Sequence, residues 1–318
     1  MDDDERRLLL DSLSQVVSGA ATGDLRAAVT GFGWHDMLAE SPQMAVYGIS
    51  TLQGEHLTET TMLDDIVLAA AGIEGPARVV YPDLPHSDPT SRIEGTASPI
   101  RGVLAAGDAE RLVVPAWHGS EVVIVTAPGA VDSKAPADGL DPDSGWHRVE
   151  THLDLSTAEV LEGEPARTCW QALLAAGQRA LAYELNALGR RMLTLAVEHV
   201  STREQFGRRI GGFQAVKHAL ADVRLWQECA ELAAEAAWED ESPESAQLAK
   251  IMAGRFVRTA AANCQQVLGG MGFTWEHDFH RYLRRALLLE PLLGSAAHLR
   301  TALGARVRAQ GAPRLALL

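Results

Sequence analysis

The chain has 318 residues, 47% of them apolar and 22% charged, so it can bury a full-sized core and is not disordered throughout. Its 28 basic and 42 acidic side chains give a formal charge of −14, which argues against nucleic acid or an anionic membrane as the main partner. The acidic start of the chain and the lack of any 18-residue apolar run predict a cytoplasmic protein without a secretion signal or a membrane helix.

Residues 1–76 predict a helical domain. Apolar residues recur at helical spacing from Leu9 to Val17 and again from Leu57 to Leu68, and Gly75-Pro76 ends the second run. This part of the chain is strongly acidic, whereas residues 277–318 hold seven arginines and two acidic residues. The basic end is either a solvated cationic face or a surface that meets an anion or an acidic neighbouring subunit.

Residues 77–165 predict a small β domain. The runs 78–81, 111–115 and 121–125 are rich in β-branched residues and are bounded by Pro, Gly, Asp and Ser, which is typical of strands. The tripeptide His118-Gly119-Ser120 lies between two of these runs and predicts a hairpin loop. We therefore expect a small antiparallel sheet or barrel.

Residues 166–318 predict a helical bundle. Apolar residues at helical spacing form three sets, from Leu174 to Leu195, from Phe213 to Ala234 and from Ala246 to Cys264. Glycine pairs or a proline separate the sets. Such stripes must be buried against one another, which is the pattern of a bundle. The predicted fold of the chain is therefore α+β and mainly α.

Several common catalytic signatures are absent from the sequence. There is no GxxxxGK[ST] phosphate loop, no HExxH motif, no GxSxG nucleophile elbow and no CxxC pair. His277 and His280 are three residues apart, but histidines beside arginines are expected to be solvated, so no metal site is predicted. The widely spaced Cys169, Cys229 and Cys264 are expected to be reduced thiols.

Two segments of the helical region carry a specific signal. The first runs from Arg203 to Gln214 and reads R-E-Q-F-G-R-R-I-G-G-F-Q, and the second runs from Gln265 to Phe273 and reads Q-Q-V-L-G-G-M-G-F. An arginine can hold a pyrophosphate through charge-assisted hydrogen bonds. A phenylalanine can cover an aromatic ring, and paired glycines let the backbone come close to a cofactor.

Together these motifs resemble those of the acyl-CoA dehydrogenase family, closely over residues 170–300 and elsewhere only in domain order. The resemblance implies an N-terminal helical domain (1–76), a central β domain (77–165) and a C-terminal four-helix bundle (166–318), with FAD and a CoA thioester. In that family the motif residues reach the pyrophosphate and adenine half of a flavin in the neighbouring subunit. The matching residues here are Arg203, Phe206, Gln266 and Gly270, and Ser295 is counted with them. Alternatively, Phe206 and Gly270 only pack the helix junction.

The chain departs from the family at the catalytic base. The family removes an α-proton with a carboxylate while the β-hydrogen leaves as hydride to the flavin. Alignment through Gly294-Ser295 puts Leu293 at the usual position of the base, and the position that some members use instead, on the first bundle helix, falls near Gly177. Glu290 and Glu184 are the nearest candidates for a relocated base, but we expect both to be ordinary solvated charges.

The loops with which the family's central domain holds the flavin ring are also not found between residues 77 and 165. The chain therefore resembles the short, base-less subunit of the α2β2 acyl-CoA dehydrogenases of actinobacterial steroid catabolism. That resemblance implies a larger partner subunit with the base, a shared FAD, a bulky steroid-derived thioester and an electron-transfer flavoprotein as acceptor. Two alternatives stay open, a self-sufficient homotetramer that uses Glu290 or Glu184 and a flavin-free assembly or acyl-CoA-binding subunit.

Overall fold

The structure, a computed structural model, describes residues 3–19, 25–58, 62–95, 97–105, 110–129, 134–136 and 141–311. Helices come first, strands follow, and helices form most of the remainder, which confirms the predicted α+β, mainly α fold. Among the described residues, no helix combines the length and the hydropathy that crossing a bilayer requires.

Five helices precede the strands, and the sequence predicted them only in part. They are α1 (Asp3–Gly19), α2 (Leu25–Gly31), α3 (Trp34–Glu40), α4 (Pro42–His56) and α5 (Leu63–Ala70). Helix α4 was missed because nearly every residue from Ala45 to Gly54 is buried, so its sequence lacks the two-sided pattern of a surface helix. The helix predicted to continue from Leu57 is wrong at its start, since Leu57 ends α4 with a φ of 53° and α5 begins six residues later.

Two small sheets form the middle of the chain. In the first, β1 (Arg78–Val79) and β2 (Ser91–Arg92) lie parallel to β4 (Arg111–His118), and β4 is antiparallel to β5 (Glu121–Pro128), which pairs with β8 (Glu159–Leu161). The second is antiparallel in the order β3 (Ala97–Ala105), β7 (Trp146–Asp154), β6 (Lys134–Pro136).

The hairpin loop predicted between the two central strands is confirmed, because Gly119 and Ser120 join β4 to β5. The predicted antiparallel pairing does not extend to β1 and β2, which lie parallel to β4. Both are two residues long, and nothing in so short a segment distinguishes a parallel from an antiparallel partner.

Long helices make up the last part of the chain. They are α6 (Gly163–Thr202), α7 (Gln214–Glu239), α8 (Pro243–Leu268), α9 (Phe279–Leu289) and α10 (Ala296–Gln310). The three predicted apolar stripes are confirmed as α6, α7 and α8. The separator before α8 acts as a cap, since the Ser242 hydroxyl accepts from the Ser245 N–H and Pro243 follows at the first helical position.

Buried ionic contacts join the three parts of the chain. Asp64 of α5 accepts hydrogen bonds from the Tyr81 hydroxyl at 2.7 Å and from Arg78 at 3.1 Å, which ties the N-terminal helices to the strands. Burial raises the pKa of Asp64, and the Arg78 guanidinium opposes that rise. Arg285 of α9 donates to Asp141 at 2.5 Å and thereby ties the bundle to the loop before β7.

Candidate functional site

The first motif forms an exposed hairpin at the end of α6. Arg203 ends the helix, where its N–H donates to the His199 carbonyl at 2.9 Å, and residues 204–209 then form a short antiparallel hairpin. Hydrogen bonding from the Ile210 N–H to the Arg203 carbonyl closes the hairpin at 2.9 Å. The Arg203 guanidinium makes no ion pair with any carboxylate in the described ranges. It is therefore available to an external anion.

Phe206 occupies the tip of this hairpin and is 92% exposed. Its ring contacts Phe213 edge-on, with the centroids 6.1 Å apart. The Arg208 guanidinium stacks over Phe213 at 3.9 Å from the ring centroid, so Arg208 helps to hold the base of the hairpin. A large apolar ring so exposed is unusual for a residue that only packs a junction.

The second motif ends α8 and continues as a 3-10 turn, Gly269–Phe273. Gln266 is exposed in the last turn of α8. Gly270 is exposed as well, and a Cβ placed on it would meet no atom within 4 Å. Two further exposed aromatic rings follow, Phe273 and Trp275. This stretch therefore offers open backbone and apolar surface to a partner or ligand.

The two motifs lie at the same end of the bundle. Helices α6 and α8 pack closely where Gly189 faces the Phe256 ring, and a Cβ on Gly189 would lie 2.4 Å from that ring. Each helix ends roughly three and a half turns beyond this contact. Burial lowers the pKa of His199, and the positive charges of Arg203 and of His277, four residues beyond the second motif, lower it further.

Ser295 does not join this end of the bundle. It caps the N-terminus of α10, where its hydroxyl accepts from the His298 N–H at 3.2 Å. The next residue, Ala296, packs against Gly254. A Cβ placed on this glycine would lie 2.8 Å from the Ala296 Cβ. Gly254 precedes the end of α8 by 14 residues, or about 20 Å of helix.

The two positions that the family resemblance assigns to a base are in contact. Leu293 is fully buried, and its Cδ1 atom lies 2.3 Å from the position of a Cβ on Gly177. The Val67 Cγ1 atom lies 3.3 Å from the same position. The side chain of Gln178 donates to the Leu293 carbonyl at 3.1 Å and fixes this turn. Hydrocarbon therefore fills the space at both positions.

The prediction that Glu184 and Glu290 are solvated charges is wrong. Glu184 is 7% exposed and accepts from the Gln53 amide at 3.4 Å. Burial raises its pKa to about 7, and the Arg285 charge opposes that rise. The sequence misled because every residue from Leu181 to Gly189 is buried, so this part of α6 has no solvent face on which an ordinary charge could lie.

Glu290 is 9% exposed and acts as a structural acceptor. Its Oε1 accepts from the Ala296 N–H at 3.0 Å and lies 3.9 Å from the Arg258 side chain. The carboxylate thus satisfies a free N–H in the first turn of α10, which is also where the helix dipole favours negative charge.

Lys250 was not singled out by the sequence, yet it holds the turn that carries Leu293. It is fully buried in α8, and its Nζ donates to the carbonyl oxygens of Glu290 at 2.5 Å and of Gly294 at 3.4 Å. Burial lowers its pKa to about 8. The sequence does hold a signal for this contact, a lysine within the apolar stripe from Ala246 to Ala253. A buried ammonium group at such a position requires hydrogen-bond acceptors.

His277 and His280 are half-buried rather than solvated. The His277 Nδ1 accepts from the Phe279 N–H at 3.2 Å, and the His280 Nδ1 lies 2.8 Å from the His277 carbonyl. Through these contacts both histidines cap the start of α9 locally. Cys169 and Cys264 are buried free thiols, and Cys229 is partly buried.

Comparison with known proteins gives one family match. The model described as acyl-CoA dehydrogenase, C-terminal domain, matches residues 170–308. Acyl-CoA dehydrogenase IpdE2 of Mycobacterium tuberculosis is 35% identical over 154 residues, which are 48% of this chain and 45% of that protein. The match therefore spans less than half of the length of this relative.

Solved structures resemble the chain over nearly all of its length. A chain of the ChsE4-ChsE5 complex from Mycobacterium tuberculosis has a TM-score of 0.71 at 19% identity and covers 99% of both chains. A variant of the Tcur3481-Tcur3483 steroid ACAD has a TM-score of 0.73 at 19% identity and covers 98% of this chain and 97% of that one. At this level of identity the likeness concerns the fold.

Proposed function

We propose that this chain, whose residues 170–308 match the model described as acyl-CoA dehydrogenase, C-terminal domain, is the base-less subunit of a heteromeric, FAD-dependent acyl-CoA dehydrogenase. A larger partner subunit contributes the flavin-ring contacts and the base. The contact between Leu293 and Gly177 carries the proposal, because it fills both base positions with hydrocarbon. The residues assigned to the pyrophosphate side stay exposed at the end of the bundle.

The exposed end of the bundle fits the pyrophosphate and adenine half of FAD. Arg203 offers a guanidinium without an ion-pair partner in the described part of the chain, and Gly270 offers backbone that no neighbouring atom blocks. Phe206 offers a ring face, and Gln266 an exposed amide. FAD, when bound, supplies the hydride acceptor of the reaction. In this chain Arg203 and Gln266 bind and orient the dinucleotide, while Phe206 covers its ring from water.

This chain contributes no base to the reaction. Leu293, Gly177 and Val67 pack against one another and exclude both water and substrate from the position of a carboxylate. A positioned base contributes roughly 10²–10⁴ in rate, so its loss disables a self-sufficient enzyme. Glu184 lies seven residues along α6 from Gly177, or about 10 Å, and its carboxylate is engaged by Gln53. The partner subunit therefore carries the base.

Apolar residues on the outer surface favour a partner subunit. Leu225 and Leu232 of α7 are 58% and 64% exposed, and a spacing of seven residues puts them on one face of the helix. Phe206, Phe273 and Trp275 add three exposed rings at the end of the bundle. Soluble chains seldom leave so much apolar surface uncovered. We assign this surface to an α2β2 assembly with one flavin for each unlike pair.

The substrate of the proposed assembly is a bulky, steroid-derived CoA thioester, and the acceptor is an electron-transfer flavoprotein. The likeness to a steroid ACAD of two named chains supports this substrate class. Two subunits that share one active site, in place of one site each, also have room for a substrate wider than a straight acyl chain. Turnover by the reconstituted pair on steroid-derived and straight-chain thioesters tests the substrate class, and preference for the straight chain contradicts it.

Flavin counting tests the assembly. The chain is co-expressed with a larger, base-containing acyl-CoA dehydrogenase chain from the same organism, and flavin is measured per tetramer by absorbance after release. Two flavins per tetramer support the proposal. Four flavins, or none, contradict it. Yellow, active protein from this chain alone would instead favour a self-sufficient enzyme in which Glu184, whose pKa lies near 7, is the base.

A further inference from the structure

Helix α7 carries a second apolar stripe on the side that faces away from the bundle core. Its core side packs against α6 and α8 through Val223, Gln227, Ala230, Ala234 and Ala237. At 3.6 residues per turn, Leu225 and Leu232 point in nearly the opposite direction from Ala234, and they are 58% and 64% exposed. Ala221 and Ala236, also exposed, extend the stripe by one turn at each end. A helix with apolar residues on opposite sides is suited to burial on both.

The outer stripe, by which we mean Ala221, Leu225, the partly buried Cys229, Leu232 and Ala236, is separate from the aromatic rings at the end of the bundle. Phe213, which contacts the Phe206 ring, stands at the start of α7. Leu225 follows it by about 18 Å of helix and Leu232 by about 28 Å. An α2β2 assembly needs two kinds of contact, one within each unlike pair and one that joins the pairs. Two separate apolar surfaces fit that need.

The outer stripe is self-complementary when two copies of α7 lie antiparallel. A contact between identical chains requires this, because each residue meets its counterpart about a two-fold axis. The midpoint between Leu225 and Leu232 falls between positions 228 and 229, and the midpoint between Ala221 and Ala236 falls at the same place. In an antiparallel pair leucine therefore meets leucine and alanine meets alanine. Cys229 then lies beside the axis.

The charges at the ends of the outer stripe are complementary in the same arrangement. Lys217 and His218 are exposed at the start of α7, and Glu239 is exposed at its end. His218 and Glu239 share the midpoint of the two leucines, so the basic start of each helix meets the acidic end of the other. A parallel pair would instead bring lysine to lysine and glutamate to glutamate. Glu228, beside the midpoint, is already ion-paired within its own helix.

We propose that the outer stripe binds the same stripe of a second copy of this chain, with the two α7 helices antiparallel and the two-fold axis beside Cys229. In the α2β2 assembly this contact joins the two unlike pairs, and in that respect the inference rests on the proposed function. The pairing itself requires neither flavin nor the larger subunit. It can therefore be tested on the full chain alone as well as on the complex.

Cross-linking at Cys229 tests the position of the axis. The full chain, alone and co-expressed with the larger chain, is treated in dilute solution with bismaleimidoethane, a short reagent that joins two thiols. A covalent dimer of this chain is expected on a denaturing gel, and Cys229→Ala is expected to remove it. Cys264→Ala removes a buried thiol instead and is expected to leave the covalent dimer in place. Absence of the dimer from both preparations overturns this placement of the axis.

Replacement of the two exposed leucines tests the contact itself. Leu225→Glu/Leu232→Glu is expected to weaken self-association roughly hundredfold or more, because two leucines of each copy lose their burial. Sedimentation equilibrium measures this for the chain alone. In the complex, the double variant is expected to sediment as one unlike pair that retains its flavin. Leu8→Glu makes the same change at a leucine of α1 that is 71% exposed, and it is expected to leave association unchanged.

The results for the leucine variants separate this inference from the proposed function. Association that is the same in Leu225→Glu/Leu232→Glu as in the unchanged chain overturns the pairing, whatever the flavin content. A complex of four chains that depends on both leucines but holds no flavin contradicts the proposed function and supports the pairing.

Charge reversal tests the direction of the pairing. Lys217→Glu and Glu239→Lys are each expected to weaken self-association roughly fivefold, because each brings like charges together at both ends of the pair. Lys217→Glu/Glu239→Lys restores opposite charges across an antiparallel contact and is expected to recover most of the affinity. A double variant as weak as the single variants would overturn the antiparallel arrangement.

Discussion

Leu293 and Gly177 are 116 positions apart in the sequence, yet the Leu293 Cδ1 atom lies 2.3 Å from where a Cβ on residue 177 would stand. A glycine is required in α6 at this point because the leucine occupies the place of its side chain. In the proposed function these are the two positions at which a base would be expected, and a side chain at 177 would collide with Leu293.

This contact predicts strong coupling between the two positions. Gly177→Ala overpacks the site and is expected to destabilise the chain by about 1–3 kcal/mol in urea unfolding. Leu293→Ala leaves a cavity and is expected to cost about 2–5 kcal/mol. The double variant is expected to lose less unfolding free energy than the two single variants lose together, because the new methyl group fills part of the new cavity. Additive losses would contradict the contact.

Leu293→Glu is expected to create no acyl-CoA dehydrogenase activity in this chain. A carboxylate there would be buried among Val67 and Gly177 without a partner, which is costly and favours its protonated form. Dye reduction with acyl-CoA substrates measures the outcome. Turnover above that of the unchanged chain would show that the chain retains a complete flavin site of its own.

Arg203→Ala is expected to weaken flavin retention in the two-chain complex by about 10- to 100-fold, because a charged hydrogen-bond donor to the pyrophosphate is lost. The melting temperature of the flavin-free chain is expected to stay the same, since the side chain lies outside the core. Arg224→Ala serves as a control, because Arg224 is exposed on α7 and pairs with Glu228 four residues on. An equal effect of both substitutions on flavin content would remove Arg203 from the site.

Glu184→Gln is expected to change the pH dependence of stability. Because burial raises the pKa of Glu184 from 4.5 to about 7, the unchanged chain loses stability as the pH rises from 4.5 through 7. The glutamine variant does not ionise, so its stability relative to the unchanged chain rises by up to ~3 kcal/mol between pH 4 and pH 8. Urea unfolding at both pH values measures this. Glu198→Gln, on an exposed position of the same helix, is expected to show no such trend.

The sequence predicted the parts of the fold whose residues alternate between a buried and an exposed face. The stripe from Leu174 to Leu195 predicted part of α6, and Ser242-Pro243 marked the start of α8 correctly. Helix α4 and the short parallel strands were missed, because a helix buried on all sides and a two-residue strand leave no periodic pattern.

The two motifs of the candidate site could be read from the sequence, but the surroundings of the candidate residues could not. Arg203 and Phe206 could be found because their motif is contiguous, and the structure leaves both exposed. Burial of Glu184 and Glu290, and the capture of three backbone carbonyls by Lys250, depend on residues far away in the chain. No local pattern encodes such contacts.

The exposed aromatic rings of Phe206, Phe273 and Trp275 affect how the chain behaves after its synthesis. In the proposed assembly, a newly made copy without its partner subunit presents these rings to other copies, to chaperones and to proteases. Balanced synthesis of the two proposed subunits would then be a condition for solubility, and surplus copies of this chain would be the first to precipitate or be degraded.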